Sequence, residues 1–133
     1  MGKALRKQIA LLMLSIVMLF SFAATSFAAY ESEPNNTLAT ADVYDYGESA
    51  AGMVNDSDLV DYWKINNVPT GLRYLNGYSE IAMAVLDSWG YVIATKPVGV
   101  YSISFTHYYS GPIYVAAYYT PGSGIYYYGY TVN

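Results

Sequence analysis

The run Tyr101-Ser102-Ile103-Ser104-Phe105-Thr106 alternates apolar and polar residues without error. Only a half-buried β-strand satisfies that period. The same grammar extends along the chain. Ile113 to Tyr119 follows the turn Ser110-Gly111-Pro112, and Ile125 to Val132 follows Thr120-Pro121-Gly122-Ser123-Gly124. Tyr62 to Ile65 ends at Asn66-Asn67, ahead of Pro69 and Gly71. Leu72 to Tyr78 is a weaker strand interrupted by Gly77, and Asp42 to Gly47 and Ala51 to Val54 are short candidates. Ile81 to Leu86 is uniformly apolar, as in a strand buried on both faces, and Asp87-Ser88-Trp89-Gly90 turns it into Tyr91 to Thr95. The expectation is an all-β fold, an antiparallel β-sandwich of jelly-roll type with eight or nine short strands.

The first residues follow a different logic. Lys3, Arg6 and Lys7 precede an apolar run from Ile9 to Phe20, and Ser26-Phe27-Ala28 places small residues where a signal peptidase reads. This is the layout of a secretory signal peptide over residues 1–28, removed to leave a single domain over 29–133 that is secreted and has no membrane segment of its own. Three basic residues, Lys64, Arg73 and Lys96, then face ten acids, so a nucleic-acid partner is excluded on charge. The chain has no cysteine. A secreted domain of this size commonly needs a staple, and a bound metal is one that requires no thiols.

Eight of the ten acids lie between Glu31 and Asp61, and no Lys or Arg falls between Tyr30 and Trp63. Glu31, Glu33, Asp58 and Asp61 offer carboxylates, and Asn35 and Asn36 offer amide oxygens, the ligand types that calcium takes in sixes to eights. An extended arm would turn Glu31, Glu33 and Asn35 to one side. The other reading of such a cluster is a solvated acidic face. The spacing is not that of an EF-hand, because Asp61 would stand where that loop requires glycine.

The segments Glu31-x-Glu33-Pro34-Asn35-Asn36-Thr37 and Asp58-x-x-Asp61-Tyr62-Trp63-x-Ile65, with Gly52 between them, resemble the bacterial pre-peptidase C-terminal domain. That family includes the collagen-binding modules of clostridial collagenases. The resemblance runs less specifically through Val85 to Gly90 and the tail from Gly111 to Val132, and so spans the mature chain. It implies a β-sandwich whose acidic arm (Glu31, Glu33, Asn35, Asn36) and acidic loop (Asp58, Asp61) bind Ca²⁺: one ion, with a second, weaker one as the alternative. Asn36 stands where many members carry Asp, which removes a charge. Asp56 is a spare acid, read as solvated.

No catalytic constellation accompanies these motifs. His107 is the sole histidine, no G-x-S-x-G elbow is present, and Glu80 and Asp87 read as turn residues. The tail is uncharged from Pro97 onward and rich in tyrosine. Alternation puts Tyr126, Tyr128 and Tyr130 on one face, and Tyr114 and Tyr118 repeat the arrangement on a strand expected beside it. Such rows either cover a sheet or bind a polymer. The sequence therefore points to a non-catalytic, calcium-stabilised binding module for an extracellular collagen-like protein or polysaccharide. Its rivals are a self-associating structural protein and an accessory factor for a separately encoded secreted protease.

Overall fold

The computed structural model describes residues 28–122 and 124–133; the proposed leader therefore lies outside the described residues, apart from Ala28. Ten strands form two five-stranded sheets, and no helix occurs among the described residues. The first sheet orders β1 (Ala28–Tyr30), β3 (Ser49–Val54), β10 (Tyr126–Val132), β5 (Gly71–Gly77) and β8 (Ser102–His107). The second orders β2 (Asp42–Asp45), β4 (Val60–Asn66), β9 (Ile113–Tyr118), β6 (Ala82–Leu86) and β7 (Val92–Lys96). This is the expected all-β sandwich, with two differences of detail. The strands number ten, because β1 forms where the leader was expected to end. Two pairings, β1 with β3 and β2 with β4, are parallel, whereas the rest are antiparallel.

The core follows from the alternation. Along β4, Asp61, Trp63 and Ile65 turn inward and their neighbours outward. Trp63 meets Tyr44 and Tyr130 edge-to-face at centroid distances of 5.8 and 6.3 Å, the arrangement that ring quadrupoles favour. Leu75, Ile81, Met83, Val85, Phe105, Ile113, Val115 and Val132 complete the interior. The uniformly apolar β6 serves both of its faces. Met83 and Val85 enter the core, while Ala84 and Leu86 join Ala116 on the outside of the second sheet under Leu38, Tyr62, Tyr114 and Tyr118.

The tyrosine rows are therefore corrected. Tyr126, Tyr128 and Tyr130 do share a face of β10, but that face is the interior: Tyr128 and Tyr130 are 2% and 3% exposed, and Tyr126 packs against the core. They cannot present a surface to a partner. Tyr114 and Tyr118 belong to the other sheet and half-bury on its outer face. Tyr127, of opposite parity, is the ring that β10 exposes.

One interior cation completes the fold. Lys96, fully buried, donates to the carbonyls of Tyr78, Ile81 and Val100 at 2.7, 2.6 and 2.9 Å. An ammonium has three donors, and all three are used.

Candidate metal centre

The chain leaves β1 still paired, with Glu31 N–H donating to Ala51 O at 3.1 Å. This fixes the Glu31 side chain over β3, where its Oε1 accepts the Met53 N–H at 2.8 Å. Space for that carboxylate exists because residue 52 is glycine. A Cβ there would collide with Glu31 Oε2 and the Tyr128 hydroxyl. The Gly52 of the sequence motif thus has a steric reason.

Asp61 approaches from the other sheet. It occupies an inward position of β4 and has no solvent exposure. Its Oδ2 accepts the Tyr128 hydroxyl at 2.6 Å, whereas its Oδ1 is buried with no hydrogen-bond partner. Tyr128 in turn accepts the Trp63 indole N–H at 2.8 Å. Glu33 closes the group. One carboxylate oxygen from each of Glu31, Glu33 and Asp61 lies within 4.8 Å of the others.

Like charges this close cannot all remain ionised without compensation. Burial, reinforced by the neighbouring Glu31 carboxylate, pushes the Asp61 carboxyl up to about 9. Glu33 is also raised, by burial and by its contact with Asp58. Without a compensating charge the arrangement therefore favours the protonated forms of Asp61 and Glu33.

Asp58 is delivered by a tight loop, in which Asn55 and Asp58 exchange backbone hydrogen bonds of 2.9 and 3.0 Å. Asn36 meets it through nitrogen, donating to Asp58 Oδ1 at 2.6 Å and to Val60 O at 3.1 Å. Asn35 departs from the extended-arm expectation. Its side chain is buried and donates to Asp42 Oδ2 at 3.1 Å, its Oδ1 has no partner, and its backbone carbonyl accepts Tyr62 N–H at 2.9 Å. The arm is folded back because Asp42 gathers it, also accepting Ser32 N–H and the Ser32 hydroxyl at 2.8 Å each.

So Glu31, Glu33 and Asp61 come together with Asp58 beside Glu33, Asn36 reaches them as a donor, and Asn35 is turned to Asp42. Sequence reasoning missed Asp42 and Tyr128 in these roles. Asp42 stood among strand residues, and Tyr128 among tyrosines assigned outward. Asp56 is exposed as expected, yet its Oδ1 accepts the Tyr119 hydroxyl at 2.6 Å.

No protein-family model matches this chain, and no curated protein matches it. Among solved structures it is similar to the pre-peptidase C-terminal domain of collagenase from Bacillus anthracis, with a TM-score of 0.56 at 16% identity, over 77% of this chain and 100% of that one. The likeness is one of fold: the described chain has the pre-peptidase C-terminal sandwich.

Proposed function

We propose, from that fold as premise, that the chain is a secreted, non-catalytic binding module stabilised by calcium, whose partner is an extracellular polymer. The observation that carries the metal reading is Asp61, a fully buried carboxylate with one oxygen lacking any donor, beside Glu31 and Glu33. A buried carboxylate is normally satisfied by hydrogen bonds or a cation. The donors that reach the group are the Met53 and Asn35 N–H groups, the Asn36 amide and the Tyr128 hydroxyl, all of them uncharged.

The residues fit calcium. The donor set is oxygen from carboxylates and amides, with neither thiolate nor imidazole in it. Glu31, Glu33, Asp58 and Asp61 would hold the ion, with the buried Asn35 Oδ1 as a further oxygen in need of a partner. Bound there, the ion would supply the positive charge that lets all four carboxylates ionise. Binding to the folded state alone would then add to stability by mass action.

The non-catalytic reading is supported by His107, which is buried and whose Nε2 faces Gly111 O at 3.2 Å as part of a loop. Asp87 spends Oδ1 on the Trp89 and Tyr91 N–H groups of its turn. The test is calorimetric. Titrating calcium into metal-stripped protein should give saturable heat and raise the thermal midpoint by several degrees. Asp61→Asn should remove both effects. A midpoint indifferent to calcium would make the cluster a structural feature only.

A further inference from the structure

We propose that the end of the sandwich remote from the carboxylates is a binding site for a neutral polysaccharide, stacked on Trp89 and Tyr109. The inference rests on the binding-module reading and gives it a place and a substrate class. Asp61 stands near the start of β4, and Asn66 at its far end. Around that far end two connections meet, the β6–β7 turn and the β8–β9 loop.

Both connections are fixed from within. In the turn, Asp87 Oδ1 accepts the Trp89 and Tyr91 N–H groups at 2.9 Å each, and Gly90 N–H donates to Asp87 O at 3.0 Å. Gly90, at φ +87°, supplies the left-handed conformation that the turn requires. In the loop, buried His107 holds the Gly111 carbonyl. Trp89 and Tyr109 meet across the two connections, edge-to-face at 5.6 Å and 78°. The rings are thus placed before any partner arrives, which lowers the entropic cost of binding.

The contact between the rings leaves both in solvent: Trp89 and Tyr109 are 65% exposed each, and Tyr108 beside them 76%. Rings so exposed and so oriented are costly to leave in water and suited to a ligand. A small crevice of about 50 Å³ under the pair is lined in part by Ile93, Thr106 and His107. A shallow cleft of about 520 Å³ adjoins the same loop, between Asn66–Val68 and Ser110–Pro112. Aromatic faces for C–H groups, next to amide and hydroxyl groups for O–H, match a pyranose polymer.

Charge narrows the class. No charged residue follows Lys96 in the sequence, and Asp87, the acid of the turn, spends one carboxylate oxygen on its own backbone. The nearby charges are engaged with their own loops, Asp45 accepting the Asn67 amide at 3.0 Å and Arg73 donating to the Pro69 and Thr70 carbonyls at 2.9 and 2.7 Å. This leaves the cleft itself lined by the uncharged Asn66, Asn67, Ser110 and Gly111. A neutral chain of sugars with flat C–H faces is the partner that fits.

The experiment is depletion of calcium-loaded protein on insoluble cellulose and on insoluble chitin, alongside thermal melts with and without chelator. Retention is expected on at least one polymer. Trp89→Ala and Tyr109→Ala should each weaken it by about tenfold or more with the thermal midpoint unchanged, and Tyr127→Ser should not. Bound oligosaccharide should also shield fluorescence from acrylamide, a readout of Trp89 because Trp63 is already buried. Failure of the wild type to bind either polymer, retention of binding in both ring variants, or its loss in Tyr127→Ser instead, would overturn the proposal. A chelator-sensitive midpoint with unaltered ring variants would remove this inference and leave the calcium reading. A chelator-insensitive midpoint with ring-dependent retention would do the reverse.

Discussion

Trp63 donates its indole N–H to the hydroxyl of Tyr128 at 2.8 Å, and that hydroxyl donates to Asp61 at 2.6 Å. The largest ring of the core is thereby wired to the most buried acid of the carboxylate cluster. Tyr128→Phe would leave the indole N–H unpaired and strip Asp61 of its donor. An unsatisfied buried group costs about 1–3 kcal/mol, so chemical denaturation of the metal-free variant should show a loss of that order. Calcium affinity should also fall, because Asp61 would no longer be oriented.

Gly52→Ala tests the cradle itself. The added methyl would occupy the space of Glu31 Oε2 and of the hydroxyl of Tyr128, the residue that β10 sets opposite Gly52. Glu31 must then leave. The expected result is a folded protein whose melting curve no longer responds to calcium; an unaltered response would show that Glu31 is dispensable.

The pH dependence has a definite sign. With its carboxyl pushed up to about 9, folded Asp61 binds a proton that the unfolded chain releases near its ordinary value. Its contribution to metal-free stability is therefore full only below the ordinary carboxyl value of 3.8, and is lost progressively as pH rises from there through about 9. Glu33, also raised, adds in the same direction. Thermal midpoints of metal-stripped protein should fall between pH 5 and pH 8, by the range over which this linkage operates. The increment given by calcium should grow over the same interval, since the ion takes ionised carboxylates. Asp61→Asn should flatten both trends.

Lys96 offers a test independent of metal. Its ammonium satisfies three carbonyls that the strands do not. Lys96→Met would fill the volume but leave those acceptors without a charged donor, at a cost of about 2–4 kcal/mol. Equilibrium unfolding in urea reads that loss, which should be equal with and without calcium.

The fold was largely legible because strand period and turn chemistry are local signals: Ser102 to His107 and Ile113 to Tyr118 stand within a residue of where alternation put them. The strand Ala28–Tyr30 was not, since three residues at the expected end of a leader carry no period, and its parallel pairing with Ser49 to Ala51 is a long-range event. Periodicity also grouped Tyr126, Tyr128 and Tyr130 correctly yet could not say which side faced in. Tyrosine suits either side, having an apolar body and a polar tip. The acids Glu31, Glu33 and Asp61 were nameable from composition and motif. Asn35 was nameable too, but not its partner: Asp42, to which its amide nitrogen donates, lies beyond the arm and is revealed only when the arm folds back.

The crossing from β1, on the rim of one sheet, to β2, on the rim of the other, passes directly over the acids. In a protein without thiols to weld, an ion seated at that crossing would act as a latch between the two layers. Such a latch opens and recloses with the solute content of the surroundings and is indifferent to redox state, so the medium itself would set how firmly the sandwich is shut.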